Sequence, residues 1–157
     1  MKKQKGFSLI ELLIVVAIIL IIAAIAIPNL MKSRMAANES SAVGSVRTIN
    51  TAQVTYSASC PNVGFSATLA ELYSGAACPG GKGIIDNVLS TGTKSGYTFA
   101  YAPVASGAPP MNTTYTTAAT PLTIGTTGQR GFYSDQTGVI RYTLDGSVPT
   151  NAASALQ

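Results

Sequence analysis

The sequence predicts an α+β fold in which one long N-terminal helix precedes a small antiparallel sheet of three or four strands. An uncharged apolar run, residues 12–27, follows a single carboxylate at Glu11. Behind that run, apolar residues at helical spacing indicate an amphipathic helical segment. Beyond Tyr97, alternating patterns and turn residues indicate strands joined by hairpins. These observations divide the chain into an apolar helix and one modest domain.

Composition restricts the function. Charged residues make up 10% of the 157 residues, against about 25% in an average soluble protein. The net charge of +4 depends on Lys2, Lys3 and Lys5, so we exclude nucleic-acid binding driven by bulk charge. The chain has no His, which removes Ser-His and Cys-His nucleophiles, and two cysteines alone do not form a zinc site. We predict that the chain is not an enzyme and holds no cofactor or metal.

Residues 7–31 are predicted to form a membrane-spanning half of the helix. A helix of this length measures about 37 Å, which exceeds a hydrocarbon core of about 30 Å. The lysines of residues 1–6 place the N-terminus in the cytoplasm. A cleavable secretory signal is the alternative, with Ala24-Ile25-Ala26 as its cleavage site. Glu11 within the apolar region and the continuing helical pattern count against it.

Residues 32–57 are predicted to be the amphipathic half of the same helix. Pro28 cannot donate a hydrogen bond to the Ala24 carbonyl, which predicts a kink there rather than an end of the helix. The buried stripe is predicted to contain Ala42, Val46, Ile49, Ala52 and Tyr56. Polar surface is predicted for Arg34, Asn38, Ser41, Ser45, Arg47 and Gln53. This half packs on the domain, whereas the first half is apolar all round and protrudes.

Residues 58–96 read as an irregular αβ loop that contains both cysteines, Cys60 and Cys78. An even count in an exported region favours a disulfide, with two free thiols as the alternative. The bridge would close a loop of about 19 residues, worth about 3 kcal/mol. Between the cysteines, residues 66–73 are predicted to form a short helix, and Thr68 and Glu71 have capping-box spacing.

Residues 97–145 are predicted to form the antiparallel sheet. Tyr97, Phe99 and Tyr101 alternate with smaller residues, and 112–117 is rich in Thr and Tyr. The clearest hairpin has arms 131–134 and 139–144, in which Ile140, Tyr142 and Leu144 share one face. Residues 146–157 show little patterning and are predicted to be a flexible tail.

The stretch Gly6-Phe7-Ser8-Leu9-Ile10-Glu11, after its short basic leader, resembles the cleavage and methylation signature of type IV pilins and of the pseudopilins of type II secretion. Pro28 also falls where such pilins commonly carry a kinking proline. The resemblance implies a type IV pilin-like fold. It implies that a membrane aspartyl prepilin peptidase removes leader 1–6 between Gly6 and Phe7 and N-methylates Phe7. It further implies that Glu11 meets the N-terminal ammonium of a neighbouring subunit.

The implied partners are further copies of the chain in a helical polymer, the peptidase and methyltransferase, an inner-membrane assembly platform and the inner membrane itself. The implied location is a single-pass inner-membrane precursor and then a cell-surface pilus, or the periplasm for a pseudopilin. Physical chemistry agrees, because an unpaired buried charge costs far more than a paired one. Glu11 therefore favours one register between apolar helices. The alternatives are a protonated Glu11 or one paired with its own N-terminus.

Three functions are open: a structural subunit of a type IV pilus, which we favour, a pseudopilin, and a non-polymerising membrane-tethered binding domain. A calcium site at Asp135 and Asp145 is conceivable, but turn-capping is the commoner role. Asn38 and Asn112 begin N-glycosylation patterns that also arise by chance. The disulfide departs from the common pilin pattern by lying just after the helix, so no receptor-binding residues are carried over.

Overall fold

The longest element of the structure, a computed structural model that describes residues 6–107 and 110–156, is helix α1, Leu9–Ser59. The chain divides into two compact units, Met1–Arg34 and Met35–Gln157, and α1 contributes to both. Of the predicted leader, only Gly6 falls within the described residues. The helix continues through Pro28, so it does not end there. A kink at Pro28 stays a prediction.

The helical part of the first unit is exposed along its length. No residue in the stretch 7–34 is buried, and the large aliphatic side chains of the apolar run are about half exposed or more. By length and composition the helix could cross a membrane. Because its apolar side chains lie on every side, the expectation of an all-round apolar helix is met.

In the second unit, α1 buries one stripe against the domain. Ala42, Val46, Ile49, Ala52 and Tyr56 are each at most 2% exposed, as predicted from their spacing. Two residues assigned to the polar surface are buried instead, Ser45 and Gln53. Spacing alone misplaced Gln53 because its side chain bonds to Ser66, and a polar side chain with a hydrogen-bonding partner can occupy the core.

Short elements connect α1 to the sheet. They are helix α2 (Leu69–Ser74), a 3-10 turn (Pro79–Gly81) and helix α3 (Asn87–Ser90). The Thr68 hydroxyl accepts from the Glu71 N–H at 3.3 Å, and the Glu71 carboxylate accepts from the Ala67 N–H at 2.8 Å. These bonds confirm the predicted capping of the short helix. A Cβ at Gly81 would overlap the Tyr56 ring, so only glycine lets the turn lie against α1.

The sheet is an antiparallel meander with strand order β1-β2-β3-β4-β5-β6. The α+β class and the antiparallel sheet are confirmed, but the described residues form six strands instead of three or four. Tyr97 and Phe99 face the core, as their alternation predicts, and Phe132 pairs with Tyr142 in the predicted hairpin. The strands are β1 (Thr93–Lys94), β2 (Tyr97–Ser106), β3 (Met111–Pro121), β4 (Gly131–Asp135), β5 (Arg141–Thr143) and β6 (Ser154–Ala155).

The predicted flexible tail is wrong for residues 146–156. β6 pairs with β5, and the Leu156 N–H donates to the Ile140 carbonyl at 2.7 Å. Pro149 is fully buried. The segment is ordered because it pairs with β5, about a dozen residues earlier in the chain. The sequence of the segment itself has no periodic pattern from which this pairing could be predicted.

Candidate functional site

The predicted cleavage point lies in accessible chain just before α1. Gly6, Phe7 and Ser8 precede the helix, and Phe7 is 93% exposed. A Cβ at Gly6 would meet nothing within 4 Å. The Gly6–Phe7 peptide bond is therefore outside the helical hydrogen-bond ladder and open to another molecule.

The Glu11 carboxylate turns back toward the start of its own helix. One carboxylate oxygen accepts from the Ser8 N–H at 2.9 Å. This is the carboxylate half of a capping box, Ser8-x-x-Glu11, in which a side chain satisfies an N–H that the first turn leaves without a partner. The spacing was visible in the sequence, but we did not predict the bond. It differs from the alternatives considered above, because the donor is a backbone amide and not the N-terminal amine.

In the second unit, Glu39 joins α1 to the loop between β3 and β4. Its carboxylate accepts from the Gln129 N–H at 2.8 Å, the Arg130 N–H at 3.1 Å and the Arg130 Nε at 2.7 Å. Burial alone would raise the pKa of Glu39, but these bonds outweigh it and hold the pKa below its ordinary value. Tyr97 donates to the Arg130 carbonyl at 2.9 Å, and burial raises the Tyr97 pKa to about 12.

Two further polar side chains connect α1 to the rest of the domain. Gln53 is fully buried, donates to the Ser66 hydroxyl at 2.8 Å and accepts from the Ser66 N–H at 3.0 Å. Asn50 donates to the Ser134 hydroxyl at 2.8 Å and accepts from the Tyr115 hydroxyl at 3.1 Å. Since buried polar groups are costly unless bonded, these contacts fix how the helix lies on the sheet.

Cys60 and Cys78 form the predicted disulfide, 18 residues apart in sequence. Cys60 is 4% exposed and belongs to the core. The bridge ties the end of α1 to the start of the 3-10 turn.

The described residues contain no group of three or more His, Cys, Asp or Glu side chains that could hold a metal ion. Asp135 accepts from the Thr137 N–H at 2.9 Å, and Asp145 accepts from the Ser147 N–H at 3.1 Å. Both aspartates therefore cap turns, which is the role that we considered more common than calcium binding.

In both N-glycosylation patterns, the side-chain amide of the asparagine already donates a hydrogen bond within the chain. Asn38 Nδ2 donates to the Thr127 carbonyl at 2.8 Å, and Asn112 Nδ2 donates to the Phe65 carbonyl at 2.9 Å. A glycan on either nitrogen would replace a bond that joins two elements. The geometry disfavours modification at both positions.

The sequence of the N-terminal segment can be compared with known proteins. A family model described as the prokaryotic N-terminal methylation motif matches residues 1–27, which include Gly6, Phe7 and Glu11. The N-terminal segment of the chain is therefore similar to that of proteins that carry this motif. This similarity agrees with the prediction that the chain is not an enzyme.

The chain is also similar, over part of its length, to pilus and fimbrial proteins. The chain is 62% identical over 39 residues to the type IV wide pilus major component PilA4 of Thermus thermophilus, a match that covers 25% of this chain and 30% of that protein. It is 48% identical over 54 residues to the type IV major pilin protein PilA of Myxococcus xanthus, covering 34% and 24%. It is 54% identical over 52 residues to a fimbrial protein of Pseudomonas aeruginosa, covering 33% and 34%.

These matches span about a quarter to a third of the length of the relatives. No solved structure matches the chain significantly. Beyond the N-terminal segment, the resemblance to pilins therefore rests only on the α+β class of the fold.

Proposed function

We propose that the chain is the structural subunit of a type IV pilus. A membrane holds the precursor by residues 7–31, with the N-terminus in the cytoplasm. A prepilin peptidase cuts between Gly6 and Phe7, and the new Phe7 amine is N-methylated. The mature chain then polymerises through its apolar helix, on an assembly platform in the inner membrane, into a filament at the cell surface.

The single observation that carries this proposal is the methylation motif over residues 1–27 joined to an apolar helix with no buried face. Such a helix is stable in lipid before assembly and among its own copies afterwards, so its surface need not meet water in either state. A head-to-tail contact that does not close on itself gives a filament.

In this mechanism Glu11 sets the axial register between the apolar helices of neighbouring copies. The Ser8 N–H partly satisfies its carboxylate within the chain, which lowers the cost of holding an acid in the bilayer. Cleavage leaves a cationic amine at Phe7, four residues before Glu11 and about 6 Å away along the axis. The amine of a neighbouring copy then pairs with Glu11, and a wrong register leaves both charges unpaired.

The pilus is favoured over the pseudopilin of a type II secretion system by two observations. The relatives reported above are named as pilus or fimbrial proteins. Asp135 and Asp145, the candidate calcium ligands, each cap a turn within their own loop.

The test compares Glu11→Gln with the matched variant Glu71→Gln. Removing one member of a buried charge pair costs about 3–5 kcal/mol, so Glu11→Gln should abolish sheared filament while leaving precursor in the membrane. Glu71 caps α2 in the second unit, and its replacement by glutamine keeps an accepting oxygen, so Glu71→Gln should assemble. Equal filament yields from the two variants would contradict the role of Glu11.

Mass spectrometry of sheared filament tests processing separately. The expected N-terminus is methylated Phe7. An N-terminus after Ala26 would instead establish an ordinary signal peptide. Absence of any filament from the unmodified chain would favour the tethered domain.

A further inference from the structure

A groove of about 440 Å³ lies in the second unit, where α1 meets the residue before β4 and the C-terminal segment. Arg47 and Arg130 both line it, together with the aliphatic side chains of Val43 and Leu156. The second unit carries as many acidic as basic side chains. Two arginines in one groove therefore give this surface a positive charge that the unit as a whole lacks. We call it the arginine groove.

The Arg130 guanidinium is held in place but keeps donors to spare. Its Nε donates to Glu39 at 2.7 Å, and its central carbon lies 5.6 Å from the centre of the Phe132 ring and 5.9 Å from that of Tyr142. Within residues 6–107 and 110–156, neither its Nη groups nor the Arg47 side chain donates a hydrogen bond. A guanidinium with unused N–H groups matches the planar, two-oxygen geometry of a carboxylate.

The Glu39 carboxylate lines the same groove but is already occupied. It accepts from the Gln129 N–H, the Arg130 N–H and the Arg130 Nε. It balances one of the two arginines and leaves the groove with one net positive charge. The arginine groove is therefore suited to one further carboxylate.

Asp145 is the carboxylate of this chain that best fits the groove. The chain has six carboxylate side chains, and three of them are exposed: Glu11, Asp86 and Asp145. Glu11 belongs to the apolar helix, and Asp86 pairs with Lys94 at 2.8 Å. Asp145 has no cationic partner in the part of the chain that the structure describes. Its Oδ1 accepts both the N–H and the hydroxyl of Ser147, so Oδ2 stays available as an acceptor.

The neighbours of Asp145 match the groove as well. Leu144 and Val148 are 69% and 59% exposed, so the loop 144–148 presents a carboxylate beside two aliphatic side chains. The arginine groove presents guanidinium groups beside Val43 and Leu156. No ion pair joins Asp145 to an arginine among the described residues of one copy. The two surfaces are thus complementary and unpaired within the chain.

We propose that the loop 144–148 of one copy docks in the arginine groove of a neighbouring copy, with Asp145 bonded to Arg47 and Arg130. This inference rests on the proposed function, which supplies the polymer. The loop and the groove are different surfaces, so the contact is head-to-tail and repeats along an open filament. One exposed ion pair contributes little stability. Its complementary charges instead select how neighbouring domains are placed.

A charge exchange in the full chain tests the contact, with sheared filament measured against membrane precursor. Arg47→Glu and Asp145→Lys should each lower the filament yield several-fold, because like charges then face each other at every repeat. The double variant Arg47→Glu/Asp145→Lys should restore the yield. Arg47 is exposed and its side chain has no bond within the described residues, so Arg47→Glu leaves the fold intact.

Asp135→Lys is the matched control. Asp135 also caps a turn through Oδ1, so this variant loses the same kind of bond as Asp145→Lys. It should keep the yield of the unmodified chain and should not restore Arg47→Glu. Unchanged yields from Arg47→Glu and Asp145→Lys would overturn the proposal. A loss with Arg47→Glu that Asp145→Lys does not restore would assign the groove to another acidic partner and also overturn it.

Cross-linking tests the same contact with the charges in place. Both cysteines of the chain form the disulfide, so introduced cysteines are the only reactive thiols. In sheared filament of Ser40→Cys/Leu144→Cys, a short bismaleimide should give a ladder of covalent multimers, because Ser40 lines the groove. Ser40→Cys/Val88→Cys should give none. Val88 is 55% exposed, like the loop residues, but lies on α3 beside β1, at the far edge of the sheet from β5.

The outcomes separate this inference from the proposed function. Filament without a ladder from Ser40→Cys/Leu144→Cys overturns the inference alone. A ladder that stops at the dimer indicates a closed pair of copies and overturns the head-to-tail contact. No filament from the unmodified chain overturns the proposed function and the inference with it.

Discussion

Glu39 is a buried, charged residue that connects α1 to the loop between β3 and β4. It is 7% exposed, and its carboxylate accepts three bonds from Gln129 and Arg130. Its position was not predictable, because 91 residues separate it from Arg130 and the helical pattern assigned Glu39 no role. Ala42 and Val46, by contrast, were predictable because α-helical spacing depends only on neighbours in sequence.

We expect Glu39→Gln to flatten the dependence of stability on pH. The pKa of Glu39 is lower in the folded chain than in the unfolded chain, so its contribution is complete above the ordinary carboxyl pKa. It is lost as the pH falls through the folded pKa. Urea unfolding from neutral pH to about pH 3 should show a steeper loss for the unmodified chain. In an Arg130→Met background the substitution Glu39→Gln should have a smaller effect, and parallel pH profiles of the unmodified chain and the Glu39→Gln variant would contradict the assignment.

At the scale of elements, α1 is joined to the domain by its apolar stripe, by polar side chains and by one disulfide. The stripe and the hairpin of β4 and β5 were predictable, because both are set by local periodicity and turn residues. β1 and β6 were not, because two-residue strands carry no pattern and exist only through pairing. The bond between Ser8 and Glu11 has a recognisable sequence signature and could have been found.

Removing the Cys60–Cys78 bridge should lower the free energy of unfolding by about 3 kcal/mol. The reason is that the bridge closes a loop and so reduces the conformational entropy of the unfolded chain. The variant Cys60→Ala/Cys78→Ala, measured by urea unfolding, should match the reduced form of the unmodified chain. Reductant should leave the double variant unaffected. A reductant-insensitive unmodified chain would show that the bridge contributes nothing to stability.

At the scale of the whole molecule, the two units differ in the surroundings that suit their surfaces. The first has no buried residue in the stretch 7–34 and is suited to lipid or to copies of itself. The second has its own core, built from the α1 stripe, α2, α3 and the sheet. From the sequence we expect the apolar half of the helix at residues 7–31 and the amphipathic half at residues 32–57, because the pattern changes there from apolar all round to a single stripe.

A chain that begins at Met35 should therefore fold as a soluble monomer with a cooperative melt. Removing residues 1–34 takes away the exposed apolar surface but no residue of the core, since the buried cluster begins at Ala42. Circular dichroism should give a thermal midpoint close to that of the full chain in detergent, and light scattering should give a single protomer. A chain that begins at Ile49 loses the first part of the stripe and should not fold. A non-cooperative melt for the Met35 chain would mean that residues before Met35 stabilise the domain.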